Sequence, residues 1–412
     1  DVDTDADADC DRICGEVSMP ESGAGWASYA PPGCGGGDFE YAWGAYLVEN
    51  AGKSIPVVAD LDGDTHPDIF VSPRLADGTR VYPGTGDGTF RAAVLLPGSH
   101  ISGGWGGDLG DFTGDGQPDV AVGDHVCGAL TWINEGSLSF SPATSGLPES
   151  PFQGAGLADL DGDGDLDVVF GADQFDSGFA VRHSDGDGTW SDPGVTGIPG
   201  LGAGTSSNNG WINASDLDAD GDVDVIAFGQ IDGLFVAQIF FNAGDGVSFT
   251  SGGHPRGYDL GLVGNPLQGA VGDVNCDGHP DLAVGGWIHH GDGTAFTEGP
   301  VLDDAVLSQL GDLDGDGFLD LVTHDDLHGF RAYLNDGTGE TFTEVDLGLP
   351  DATWESPVIT DDITYPLSPA YGFDLADVNG DGALDVIRTM QVKTYGSFHS
   401  VQHTVLEVWI RG

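Results

Sequence analysis

One nonapeptide, repeated seven times, limits what this chain can fold into. The copies begin at Asp60, Asp111, Asp159, Asp216, Asp273, Asp312 and Asp377, and read DLDGDTHPD, DFTGDGQPD, DLDGDGDLD, DLDADGDVD, DVNCDGHPD, DLDGDGFLD and DVNGDGALD. Their starts lie 51, 48, 57, 57, 39 and 65 residues apart, so each unit has the length of one propeller blade or solenoid coil. Apolar runs flank each copy, such as IPVVAD and PDIFV around the first. Runs this short are those of buried strands. Several units continue into an Asp-Gly turn and an aromatic, ending at Phe90, Trp190, Phe249 and Phe296. Such turns join a third strand to a fourth. No 3.6-residue periodicity is sustained, and 70 Gly with 22 Pro in 412 residues favour turns over helices. The expected fold is all-β: a seven-bladed β-propeller of four-stranded antiparallel blades, closed so that sheet edges are protected.

Closure makes a prediction of its own. After the seventh copy only two strands remain, around 384–390 and 404–410. The missing outer strand of that blade is expected from 39–49, pairing beside the strand that holds Trp409. The propeller then spans 39–412. Residues 1–38 form an irregular, acidic, cysteine-containing N-terminal segment that reads as a self-repelling linker.

In the pattern D-x-D-x-D-G-x-x-D, side chains at positions 1, 3, 5 and 9 and the carbonyl at position 7 can converge on one point. Gly at position 6 permits the sharp turn. The candidate ligands are Asp60, Asp62, Asp64, His66 and Asp68 in the first loop, and Asp111, Thr113, Asp115, Gln117 and Asp119 in the second. Loops three and four offer Asp159, Asp161, Asp163, Asp165 and Asp167, then Asp216, Asp218, Asp220, Asp222 and Asp224. The fifth offers Asp273, Asn275, Asp277, His279 and Asp281, and the sixth Asp312, Asp314, Asp316, Phe318 and Asp320. The seventh offers Asp377, Asn379, Asp381, Ala383 and Asp385. Oxygen-only ligation of high coordination number suits Ca²⁺, up to seven ions, one per blade. Thr113 should make the second loop the weakest site. Thr65, where Gly is expected, should make the first turn less regular. The acid is lopsided in the same sense: 57 Asp against 11 Glu, in a chain of net charge -57. That charge excludes a nucleic-acid partner and a polybasic membrane surface, and no apolar run reaches the length of a transmembrane segment.

The seven motifs with their GDGTF-like turns resemble the FG-GAP and VCBS repeats of calcium-binding propellers, over 39–412. That family includes integrin α heads, Psathyrella-type lectins and bacterial surface proteins. The resemblance implies Ca²⁺ in the Asp loops on one face of the ring. The literal FG…GAP residues are blurred here, as in VFGAD (169–173) and AFGQ (227–230).

The opposite face should gather residues before strand A and after strand B. Trp105, Trp211, Trp287, Tyr371 and His324 are its candidate ligand-binding residues, with polar groups such as Gln153, Gln268 and Asp325 beside them. Aromatics ringed by polar groups suit sugar faces. For any single Trp, packing between blades is the competing role. Five cysteines in an exported protein should mostly form disulfides, Cys34 with Cys10 or Cys14 among them, and Cys127 or Cys276 pinning the tail. No nucleophile elbow, zinc-protease, P-loop or dinucleotide motif is present. These features point to an extracellular or cell-surface protein, exported and of the kind made as a lipoprotein whose leader is removed. It would act as a binding or adhesion module for glycans or a surface protein. The alternatives are a propeller enzyme acting on polysaccharide, as a lyase or dehydratase, and a self-assembling subunit of a surface filament or layer.

Overall fold

The computed structural model describes residues 41–48, 54–72, 78–99, 106–125, 127–172, 178–199, 208–231, 234–253, 255–259, 268–325, 328–349, 370–395 and 400–411. These residues form seven antiparallel sheets and contain no helix. Blade one consists of strands A to D at Val57–Ala59, Asp68–Val71, Arg80–Tyr82 and Val94–Leu95. Blade two follows with Gly107–Gly110, Asp119–Asp124, Gly128–Asn134 and Phe140–Pro142. Blade three has Phe152–Ala158, Asp167–Ala172, Ala180–Ser184 and Trp190–Ser191. Blade four has Asn208–Ser215, Asp224–Ile231, Leu234–Asn242 and Phe249–Gly253, with Arg256–Asp259 added beside its strand C. Blade five has Ala270–Gly272, Asp281–Val284, Trp287–Gly291 and Phe296–Val301. Blade six has Leu307–Gly311, Asp320–Asp325, Gly329–Asn335 and Phe342–Val345.

The seventh blade closes the ring as expected. Its own strands are Ala370–Ala376, Asp385–Tyr395 and Ser400–Arg411, and its outer strand is Tyr41–Val48 from the other end of the chain. Trp43 faces Trp409 in register, with a bulge just after it. The A strands touch in order around the ring, and the last returns to the first.

Seven buried apolar clusters hold the ring, one between each pair of neighbouring blades. Phe70 and Val81 of blade one meet Val120 and Trp132 of blade two, and the same arrangement recurs to Val378 and Val408 of blade seven against Ile69 and Tyr82. Strand B is buried along its length in every blade whose burial is described throughout that strand, because both of its faces are covered by neighbouring blades. Such strands read as unbroken apolar runs rather than alternating ones. Polar latches add to the packing near the central channel. Gln268 donates from Nε2 to the Phe373 carbonyl at 2.7 Å and accepts from the Phe373 N–H, joining blade five to blade seven. Asp108 and Asp374 accept from the otherwise unpaired edge N–H groups of Leu157 and Val58 in the next blade's strand A. Burial pushes both carboxyls up to about 6.

Candidate metal centres

Each acidic loop joins strand A to strand B and is tied by the same hydrogen bonds. The position-1 aspartate accepts from the position-6 N–H in all seven loops, as from Thr65 at 2.8 Å and Gly382 at 2.8 Å. The position-5 aspartate likewise accepts from the position-7 N–H in all seven. These bonds tie the position-7 N–H inside the loop. Positions 4 and 6 both carry positive φ throughout. Eleven of the fourteen are Gly, and the others are Thr65 (φ 73), Ala219 (φ 61) and Cys276 (φ 58). Thr65 therefore keeps the regular turn instead of loosening it, and holds a left-handed conformation unfavourable for a β-branched residue. The requirement at position 4 was legible as the Gly in five of the seven copies, and the pattern reading had not used it.

Position 9 is the structural pivot. Asp68, Asp119, Asp167, Asp224, Asp281, Asp320 and Asp385 are at most 1% exposed. One oxygen of each accepts from the position-2 N–H, and the other from an N–H at the end of strand C. In blade six these are Leu313 at 2.7 Å and Asn335 at 2.8 Å. The equivalent pairs recur from Leu61 and Gly84 in blade one to Val378 and Arg411 in blade seven. Burial, opposed by these bonds, pushes the carboxyl up to about 6 in every blade but the fifth, and upward there too.

Ligand atoms converge where the sequence supplies Asp at positions 1, 3 and 5. Among the described residues, groups of three carboxylates lying within 4.8 Å of one another are Asp60, Asp62 and Asp68; Asp159, Asp161 and Asp163; Asp216, Asp218 and Asp224; and Asp312, Asp314 and Asp316. In the loops with Thr113, Asn275 or Asn379 at position 3, the remaining carboxylates do not come together in threes at that distance among the described residues. Thr113 turns its hydroxyl onto Asp119 at 3.1 Å, while Asn275 and Asn379 donate to Asp277 and Asp381 at 3.1 and 3.0 Å. In loop one, Arg91 places a guanidinium nitrogen 2.6 Å from Asp62 and 3.4 Å from Asp64.

The fourth loop tests whether a cation fits. Asp216 Oδ1 is buried and has no hydrogen-bond partner. Burial and the neighbouring Asp220 push the Asp218 carboxyl up. Several carboxylates brought together with an unsatisfied buried oxygen form a donor set that a hard cation would complete.

Position-7 side chains do something else. His66, Asp165, Asp222, His279 and Phe318 lie against Gly86, Gly186, Gly244, Gly293 and Gly337, the first glycine of their own blade's C–D turn. A Cβ there would crowd these side chains, and each of the five glycines holds φ between 70 and 82, the left-handed conformation that favours Gly.

The candidate ligand face is less coherent. Trp211 lies in strand A of blade four and packs on the cluster between blades four and five. Trp287 begins strand C of blade five, half-buried, with Nε1 out of water and unpartnered. His324 is buried with its ring edge-on to Phe330 at 4.7 Å, and burial lowers its pKa to about 3. It is a neutral packing group and presents no ring to the surface. Tyr371 lies within strand A of blade seven, not before it. Trp105, Cys10, Cys14, Cys34 and the segment 1–38 lie outside the described residues. No disulfide occurs among the described residues, and Cys276 is exposed within loop five.

The FG-GAP-like repeat pattern matches residues 60–122, 159–227 and 216–284. No curated protein matches the chain. Among solved structures, BBS1N in complex with ARL6DN is 11% identical, covering 89% of this chain and 96% of that one at a TM-score of 0.48. The Bacillus licheniformis rhamnogalacturonan lyase PL11 is 14% identical over 84% of this chain and 55% of that one, at 0.35. The V. cholerae biofilm matrix protein Bap1 is 15% identical over 89% and 77%, at 0.32.

Proposed function

We propose that this ring of FG-GAP-like repeats is a calcium-loaded propeller serving as an extracellular binding module, toward a glycan or a surface protein. The convergence of Asp carboxylates at positions 1 and 3 with either position 5 or position 9, in four of the loops, carries the metal reading. The all-oxygen donor set and the carbonyl available at position 7 favour Ca²⁺ over softer ions. Loops four and six are the strongest sites: each has Asp at all four positions and no competing cation at the loop. Loop one shares its carboxylates with Arg91, and loop two has only Thr113 at position 3. Seven Ca²⁺ would bring the charge from -57 to -57 + 14 = -43. Excess charge of that size favours a medium rich in divalent ions and a partner that is neutral or basic.

A polar ligand is supported by the scarcity of exposed apolar surface. Among the described residues the large exposed hydrophobics are Leu95 and Val301 alone. That leaves no apolar patch of docking size there. Two experiments test this reading. Calcium content and melting temperature should both fall after exhaustive chelation and recover on adding Ca²⁺; an ion-free protein with an unchanged melt removes the metal reading. A glycan array probed with the calcium-loaded protein tests the ligand class, and silence there with capture by a purified surface protein would redirect it.

A further inference from the structure

We infer that blade three carries a second kind of metal site, a mixed nitrogen and oxygen centre of Asp161, Asp167 and His183 suited to a first-row transition-metal ion such as Zn²⁺. His183 lies one residue before Ser184, whose N–H binds Asp167 at 2.9 Å. The equivalent positions in the other blades are Pro83, Ile133, Phe241, His290, Leu334 and Ile410. Ile133 and Ile410 rest there on Gly188 and Gly88, the second glycine of the next blade's C–D turn. At this stitch between blades, blades three and five substitute an imidazole for the apolar or proline residue of the other five.

The hydrogen bonding of His183 fixes which nitrogen is a donor. Nε2 lies 3.1 Å from the Gly246 carbonyl of blade four, and a carbonyl only accepts. Nε2 therefore carries the hydrogen. Nδ1 lies 3.1 Å from Asp161 Oδ2. In the neutral ring that nitrogen is a lone pair facing a carboxylate, and only a cation reconciles the two. The cation is either a second proton or a metal. The ligand atoms of Asp161, Asp167 and His183 all lie within 4.8 Å of one another; two metal–ligand bonds of about 2.0–2.2 Å span at most about 4.4 Å, so the three side chains would close slightly around an ion.

The remaining features fit a metal of the borderline class. Imidazole nitrogen favours Zn²⁺ and its neighbours over Ca²⁺, and the Gly246 carbonyl is the outer partner that holds a ligating imidazole in one tautomer. Asp167 is 1% exposed and the side chains of His183 and Asp161 are 15% and 24% exposed. That leaves one open side for a water as fourth ligand. Blade five supplies an internal contrast. His290 Nδ1 lies 3.5 Å from Asp281 Oδ1, but position 3 is the neutral Asn275, and Nε2 faces Glu340 at 3.6 Å instead of a carbonyl. It lacks both the second carboxylate and the tautomer lock.

The site shares two carboxylates with the calcium loop of its blade: Asp161, which also belongs to the group with Asp159 and Asp163, and Asp167, the position-9 residue. The test is equilibrium dialysis of the full chain against micromolar Zn²⁺ with millimolar Ca²⁺ present, with both metals counted by mass spectrometry. One Zn²⁺ per chain is expected. His183→Gln should weaken it at least about 100-fold, the upper end of what loss of an outer partner costs, while His290→Gln leaves it in place. Protection of His183 from diethylpyrocarbonate by Zn²⁺, mapped on wild-type peptides, gives the same answer if the variant fails to fold. Absence of Zn²⁺ from the wild type, retention by His183→Gln, or lack of protection would each overturn the proposal. The calcium count in the same samples reports on the calcium reading separately.

Discussion

Acidifying the metal-free protein should stabilise it, the reverse of the usual behaviour of an acidic chain. Asp68, Asp119, Asp167, Asp224, Asp320 and Asp385 are pushed from 3.8 to about 6 by burial. Two pKa units correspond to about 3 kcal/mol per group, and water penetrating the loops brings that to about 1–2 kcal/mol. The sign follows from proton binding. A folded pKa above the unfolded one means that the native state holds the extra proton between about pH 4 and 6. Stability from this source is fully present below pH 4 and is lost as pH rises through 6. Near pH 5 each aspartate gives a slope of roughly 1 kcal/mol per pH unit, so six together shift the melting temperature by about 5–10 °C. Bound Ca²⁺ reverses the sign, because protons must then displace the ion. The assay is a thermal melt by circular dichroism at pH 7, 6 and 5, on protein stripped over chelating resin and on protein saturated with Ca²⁺. The melting temperature should rise on acidification in the first series and fall in the second. Parallel series would refute the claim that position 9 holds an uncompensated buried charge.

Thr65→Gly should stabilise the protein by about 1 kcal/mol in denaturant melts, because relief of a β-branched residue at φ 73 exceeds the entropy that Gly adds to the unfolded chain. Removing Arg91 by Arg91→Ala should add one calorimetrically detectable calcium site or tighten the first loop a few-fold, since an exposed ion pair holds it by less than about 1 kcal/mol. Trp211→Ala should cost about 2–3 kcal/mol of stability, read by denaturant midpoint, and leave ligand binding by the folded fraction unchanged. In blade seven the buried Arg388 bonds Glu407 at 2.7 Å. Glu407→Gln should cost about 3–5 kcal/mol in the same melt, most of it recovered by the double change Arg388→Met with Glu407→Leu.

How much of this was legible before the structure depends on whether a feature repeats. The propeller, its blade count and the borrowed outer strand all followed from phase: seven loops at blade spacing leave one strand missing at the end and one spare at the start. The regular loop geometry was legible for the same reason, since each nonapeptide is a self-contained turn whose hydrogen bonds run largely within a few residues. Features set by contact between blades were not. His324 looks like a surface group, yet it is buried edge-on to Phe330 of its own blade, and Trp211 is half-buried against the cluster between blades four and five; no local pattern reports either. His183 is legible only after alignment of the repeats on position 9, where an imidazole replaces Ile, Leu, Phe or Pro.

Position 9 also couples the acidic loop to ring closure. Its carboxylate ties the start of the acidic loop to the end of strand C, so whatever charge sits in the loop acts directly on the strand that packs against the next blade. In blade seven that strand is the one paired with Tyr41–Val48, and Asp385 holds its end through the Arg411 N–H at 2.8 Å. The seam is joined by backbone pairing between 41–48 and 405–411, segments far apart in the sequence. An ionised Asp385 with no cation beside it would load this joint, and a cation bound in loop seven would unload it. Opening of a metal-free propeller should begin there, with hydrogen exchange fastest across the pairing of 41–48 with 405–411 and slowed most in that segment when Ca²⁺ is restored.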